Sequence, residues 1–174
     1  RGHRTDLYAV AVTRDGASVF AGDARGVVVG WDVATRALLP VTYKAGWTAV
    51  ALAVTPDGRW LVCGNDSGEV WRWRVATGAG EMILRQPGDP GQLDPRVSAV
   101  AVSPDGDRIA VVSRDGSLRT WVNGVASPEV RGRGLNQVWT VAADATAAMI
   151  DDHILLQVKP VGGVPLHAVT PAPA

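Results

Sequence analysis

The sequence predicts an all-β fold assembled from a repeated unit of four short strands. Three landmarks recurring at matched spacing carry that reading. A tight turn appears as Thr13-Arg14-Asp15-Gly16, Thr55-Pro56-Asp57-Gly58 and Ser103-Pro104-Asp105-Gly106. A second glycine turn follows at Gly26, Gly68 and Gly116, and a tryptophan closes each segment at Trp31, Trp73 and Trp121. All three landmarks step by 42 and then 48 residues, which defines segments 7–31, 49–73 and 97–121 as copies of one layout. A fixed period of this size marks a repeat architecture.

The elements follow from the local chemistry. Proline presets the first corner of a turn, aspartate bonds the chain ahead of it, and glycine accepts a positive φ. Between turns the chain runs through Val, Ala, Leu, Ile and Trp in stretches nearer five residues than twelve. Such lengths favour strands over helices, even where alanine makes propensity ambiguous, as at 50–54. In the second unit, strand a is expected at 49–55, strand b at 60–64, strand c at 69–74 and strand d at 81–85. A fourth, atypical unit has strand a at 138–141, Asp144 in the turn, strands b and c at 147–150 and 154–158, and strand d at 164–169. Its missing glycine turns and tryptophan suit a terminal copy. A four-stranded unit of roughly 40 residues is the size of one β-propeller blade. The expected blades are about 1–43, 44–86, 87–131 and 132–169, with 170–174 a disordered tail.

These landmarks resemble the WD40-repeat family. Gly2-His3 matches the dipeptide before strand a, with His3 twelve residues ahead of Asp15, and Trp31-Asp32 is the name-giving pair. The later units carry Trp73-Arg74 and Trp121-Val122 instead. The resemblance implies a His–Ser/Thr–Asp–Trp network in each blade, and the residues supply it only in part. The third unit has Ser113, Asp115 and Trp121 but Leu93 in the histidine position. The first has His3 and Trp31 with Asp23 and Arg25 between, and the second has Ala45, Asn65 and Ser67 before Trp73. Cohesion is therefore expected mainly from apolar packing between blades. Three or four units give a four-bladed ring, part of a larger ring, or a piece completed by another chain, since propellers close at ~4–8 blades. The start at the Gly-His loop favours the last blades of a longer protein. An Arg-to-Lys ratio of 15 to 2 suggests a GC-rich bacterial source. The resemblance there implies attachment to a signalling effector domain.

Composition narrows the function classes. Seventeen basic and seventeen acidic residues give no net charge, and no Lys/Arg run nominates a nucleic-acid or membrane surface. The single cysteine, Cys63, rules out an intrachain disulfide and a Cys-based metal site, and leans towards the cytoplasm. No apolar run reaches the ~18 residues of a membrane helix. Phosphate loops, nucleophile elbows and zinc-helix motifs are absent. Asp151-Asp152-His153 is the one acid–histidine cluster, and strand alternation lets only Asp151 and His153 converge. The expectation is a non-catalytic protein-interaction module with no cofactor and no metal. Its partner is a protein or peptide, with self-association to complete the ring as an alternative. An enzymatic propeller working at the central channel, and a purely architectural role, are the competing readings.

The resemblance places partner binding on the d–a and b–c loops. The candidate residues are Lys44, Trp47, Gln92, Asp94, Arg96 and Arg114. Trp47 is either an aromatic anchor or a side chain packed on its own blade. The stretch 87–96 holds the six-residue excess that turns 42 into 48, and is either a recognition loop or a tolerated solvated insertion. Structural roles are expected for Trp31, Trp73 and Trp121, which fill space between blades. The same holds for the turn residues Asp15, Gly16, Asp57, Gly58, Asp105 and Gly106. Trp71 and Cys63 are expected in the core.

Overall fold

The computed structural model describes residues 2–85, 95–103, 106–115, 117–122 and 124–126, and the backbone of strands at 130–131, 138–141, 147–150 and 154–157. The first blade comprises β1 (Leu7–Val12), β2 (Ser18–Asp23), β3 (Val27–Asp32) and β4 (Leu38–Lys44). The second comprises β5 (Ala49–Val54), β6 (Trp60–Asn65), β7 (Glu69–Arg74) and β8 (Gly80–Arg85). Each is an antiparallel meander in which sequence order is spatial order.

The third sheet holds β9 (Val97–Val102), β10 (Arg108–Ser113) and β11 (Ser117–Val122). Its outer edge is divided, because β12 (Val125–Ala126) and β13 (Val130–Arg131) pair with opposite ends of β11. The degenerate unit contributes a three-stranded sheet: β14 (Val138–Val141), β15 (Ala147–Ile150) and β16 (Ile154–Gln157). Its expected strand d, Asp144 and the tail 170–174 lie outside the described residues.

Strand a of each blade lies beside strand a of the next, so β1, β5, β9 and β14 form the inner series. Each of the first three pairs with strand b through a bulge near the loop end: between Leu7 and Ala9, between Ala49 and Ala51, and opposite Val112 and Ser113. The same irregularity recurs between Val138 and Thr140. A bulge bends the strand and re-aims its end. No composition signal in the sequence announces it.

The core is two seams between blades. In the first seam Phe20, Val28 and Tyr43 of blade one meet Leu61, Cys63 and Trp73 of blade two. In the second, Val62, Val70 and Leu84 of blade two meet Val100, Ile109 and Trp121 of blade three. Apolar packing between blades thus holds the described blades together, as the incomplete family networks led one to expect. Close approach requires small residues at two equivalent points. A Cβ on Gly22 would lie 2.6 Å from the Ala49 side chain, and one on Gly64 would lie 2.3 Å from Val97.

Polar groups tie the seams as well. The Tyr43 hydroxyl donates to the Val75 carbonyl at 2.8 Å, while its ring sits 5.6 Å from that of Trp73. Across the second seam the Arg72 guanidinium lies between the Trp60 and Trp121 rings, 4.2 and 4.3 Å from their centroids. Such cation–aromatic contacts gain as water is excluded.

Candidate functional site

The turn from β4 to β5 carries an exposed aromatic residue, Trp47, and its backbone is tied at several points. Gly46 takes a positive φ of 80°, which an L side chain disfavours. The Ala45 amide donates to the Gly26 carbonyl at 2.8 Å. The Thr48 hydroxyl donates to Ala24 at 3.2 Å, and the Asn65 side-chain amide donates to Ala45 at 2.7 Å. Gly26 itself lies so close that a Cβ there would come within 2.2 Å of the Trp47 carbonyl oxygen. From this fixed turn the Trp47 side chain projects outward, 59% exposed, with Lys44 exposed three residues earlier.

A repeated backbone bond joins the d–a loop to the b–c loop of the same blade. The Ala24 amide donates to Asp6, Asp66 to Thr48, and Arg114 to Arg96, at 3.1, 3.1 and 2.8 Å. This last bond brings two of the candidate residues, Arg96 and Arg114, together, and both are exposed. Gln92 and Asp94, with most of the 87–96 stretch, lie outside the described residues.

The turn aspartates act as expected where they are described. Asp15 accepts the Ala17 amide at 2.9 Å, which is the main cause holding its carboxyl below the ordinary value. Asp57 accepts the Thr55 hydroxyl at 2.6 Å and the Arg59 amide at 2.9 Å, lowering its pKa to about 2. Gly16, Gly58 and Gly106 all have positive φ, near 70 to 79°. Asp105 lies outside the described residues.

A landmark that the sequence reading passed over sits one step earlier. The buried hydroxyls of Thr13, Thr55 and Ser103 each accept the amide five residues ahead, at 2.9, 3.0 and 2.9 Å. Their spacing of 42 and 48 was the available signal.

The polar networks differ from the family pattern in composition. In blade one His3 Nδ1 donates to Asp23 at 2.9 Å, with both side chains nearly buried. Burial works to raise the Asp23 pKa, but the bonds from His3 and the Val27 and Arg25 amides outweigh it and the net shift is downward. In blade two Asn65 takes the equivalent place. Its carbonyl accepts the Ser67 and Glu69 amides, and its amide donates to the Glu69 carboxylate at 3.1 Å. Trp71 Nε1 donates to the same carboxylate at 3.2 Å, and Arg85 caps its other oxygen. The last residue of strand b is therefore the turn cap in both blades, a role legible in the 42-residue offset of Asp23 and Asn65.

Trp73 and Trp121 are buried between blades, and Trp71 stacks on Trp73 at 6.1 Å. Trp31 departs from its counterparts. It is half-buried and covered by Gly2 and the His3 ring, 5.6 Å away, because no described blade faces that side. Cys63 is fully buried, and burial pushes its thiol up. Among the described residues no three His, Cys, Asp or Glu side chains converge to hold a metal. Asp151, Asp152 and His153 lie outside them.

The described loop geometry, meander and landmark spacing find their match in one family of repeats. WD domain, G-beta repeat, matches residues 41–74 and 89–122. The chain carries WD40 repeats at 41–74 and 89–122. Each matched WD40 repeat starts ahead of strand a and ends at the close of strand c, so the first takes in part of β4 from blade one. No curated protein matches the sequence. Among solved structures, that of U3-55K is 18% identical with a TM-score of 0.74, the alignment covering 90% of this chain and 49% of that one. The crystal structure of RRP9 WD40 repeats is 18% identical with a TM-score of 0.72, covering 89% and 48%. Likeness at this identity concerns the fold alone. The chain spans about half the length of the solved structures it matches.

Proposed function

We propose that this WD40 chain is a non-catalytic interaction module that grips a protein or peptide at the loop end of its blades. The observation that carries the reading is Trp47, an exposed indole on a turn whose backbone is fixed by Gly26, Ala24 and Asn65. An aromatic side chain held on a rigid support loses little freedom on binding, and such residues dominate interface energies. Lys44 on the same turn gives this end an exposed cation for an acidic group flanking an apolar residue. Recruitment or restraint of an attached effector domain is the biological use that fits such a surface.

The test is selection of peptide ligands from a random library on the folded chain, followed by titration against Trp47→Ala. Loss of an interface anchor of this kind costs about 2 kcal/mol, roughly 30-fold in Kd. The thermal midpoint should stay unchanged, because the indole is mostly in solvent. Ligands that bind the Trp47→Ala and Lys44→Glu variants as well as the parent would sink the proposal.

A further inference from the structure

The seam between blades two and three opens at the end of the blades opposite Trp47. There, beside the a–b and c–d turns, lies a cleft of about 650 Å³. Clefts that hold ligands run to roughly 300–1,000 Å³. Both blades supply its walls, with Trp60, Arg72 and Ile83 on one side and Trp121 and Gly124 on the other. The equivalent point of the first seam is filled. Trp31 opposes Leu38 as Trp73 opposes Gly80, which puts Gly30 and Leu39 in the places of Arg72 and Glu81. A Cβ on Gly30 would meet Leu39 at 2.7 Å and Phe20 at 2.8 Å. Two blades of this chain can therefore pack closely here, and the opening belongs to the residues of the second seam.

Arg72 is already positioned in the cleft. Its guanidinium lies over the Trp60 and Trp121 rings, and its side chain is 14% exposed. Stacking covers the faces of the guanidinium and leaves its N–H donors at the planar edge. Nη2 donates to Glu81 at 2.6 Å. Among the described residues no group accepts from the rest of that edge, and Nε is buried without an acceptor. Arg74 adds a second guanidinium, 4.5 Å from the Trp60 ring centroid, exposed and without an ion pair among the described residues. It borders a smaller recess of about 210 Å³ that shares Trp60, Arg72 and Glu81 with the main cleft. Glu81 shows that a carboxylate fits the Arg72 edge, and at 59% exposed it holds that place against water.

We propose that this cleft binds an acidic side chain of a partner polypeptide, aspartate or glutamate, with an apolar neighbour seated against Met82 and Ile83. The carboxylate takes the unoccupied edge of Arg72 together with Arg74, through the charge-assisted bonds that arginine forms with planar anions. Met82, 43% exposed, and Ile83 line the same cleft and supply the apolar contact. Charge selects a carboxylate over a phosphate. Glu81 and Asp107 line the cleft as well, so two guanidiniums are balanced by two carboxylates. A phosphoryl group, nearly a dianion at neutral pH, meets more repulsion there than a monoanion does. This inference does not rest on the Trp47 reading, whose surface lies at the other end of the blades.

The experiment passes three hexapeptide libraries over the immobilised Trp47→Ala chain, which lacks the other aromatic anchor. The libraries are randomised around a central glutamate, glutamine or phosphoserine. The glutamate library should be retained roughly tenfold more than either of the others, the size of one charge-assisted hydrogen bond. Peptides selected from it should shift the indole N–H resonances of Trp60 and Trp121. They should bind roughly tenfold more weakly once Arg74→Ala is added to the same background. Arg74 is exposed, so that change tests the cleft rather than the fold. Arg72→Lys keeps the charge but loses the planar fork, and should weaken binding as much. Where it also loosens the seam, seen as a lower thermal midpoint, Arg74→Ala decides alone. Equal retention of the glutamate and glutamine libraries overturns the proposal. So does a preference for phosphoserine, which would assign the cleft to phosphopeptides. Selected peptides that ignore Arg74→Ala, or that leave Trp60 and Trp121 unshifted, overturn it as well.

Discussion

Gly64→Ala tests whether the seam between blades two and three is as tight as described. The methyl would meet Val97 Cγ1 at 2.3 Å, Val97 Cβ at 2.8 Å and Val100 Cγ1 at 3.2 Å. None of these is the free end of a long side chain. Both valines are buried on strand a of the next blade, so relief requires the blades to part. Overpacking of a closed core costs about 1–3 kcal/mol. Taking about 2, the thermal midpoint of a chain this long falls by roughly 4–8 °C. Val97→Ala alone leaves a small cavity and destabilises by about 2 kcal/mol. In the double variant the two changes offset each other, because removing the Val97 methyls makes the room that the methyl added at position 64 needs. The combined loss should fall short of the sum by at least ~1 kcal/mol. Gly16→Ala supplies the contrast, with a φ of 70° and no atom within 4 Å of the new Cβ. It costs about 1–2 kcal/mol through backbone strain alone and is not rescued by Val97→Ala. Chemical denaturation of the four proteins gives the cycle. A Gly64→Ala protein as stable as the parent, or strict additivity with Val97→Ala, would refute the close approach of β6 and β9.

Three further outcomes follow from individual groups. Asp57 has a folded pKa of about 2, below the ~3.9 of an unfolded aspartate, so its contribution is present above pH ~4 and is lost as pH falls towards 2. The stability gap between parent and Asp57→Asn should therefore narrow over that window, and parallel pH curves would contradict the assignment. Tyr43→Phe removes the bond to Val75 across the first seam and should cost about 1 kcal/mol in denaturant, with an unchanged midpoint counting against that bond. Cys63 should resist thiol reagents until the chain unfolds, since it is buried and its pKa is raised. Rapid labelling of the native protein would show the first seam to be open.

The landmarks legible in the sequence were those whose chemistry is local. Asp-Gly turns, glycine positions and terminal tryptophans each impose a conformation or a volume on their own stretch of chain, so their spacing reported the first three units, while the strands of the degenerate unit, which lacks the glycines and the tryptophan, were legible only as short apolar runs. Strand boundaries in blade two differ from expectation by a residue, at Val54, Asn65 and Gly80. What escaped depends on partners distant in sequence. That Glu69 would gather Asn65, Trp71 and Arg85 requires strands b, c and d to be in register. That Trp31 would be half-buried while Trp73 and Trp121 are covered depends on which blade has a neighbour. Thr13, Thr55 and Ser103 escaped for a different reason: hydroxyl residues in turns are common enough that their recurrence was overshadowed by the aspartate two positions on. For the candidate site, Trp47 was visible as an aromatic residue in a loop. Its exposure was not, because only the bonds from Ala24, Gly26 and Asn65 decide that the turn leaves the indole in solvent.

The backbone bonds from Ala24 to Asp6, Asp66 to Thr48 and Arg114 to Arg96 have an evolutionary consequence. Each pins the exit of a connector just before strand a begins, at the same place in every described blade. The chain ahead of that pin is consequently free to change length without disturbing strand register. Lengthening a loop costs little, with each doubling adding only about 0.6 kcal/mol of closure entropy. The six extra residues before Arg96 are a length change of this kind, taken up while β9 still enters its blade as β5 does. Insertions can accumulate at these connectors, and new surfaces can be tried there, while the scaffold's folding is left almost untouched.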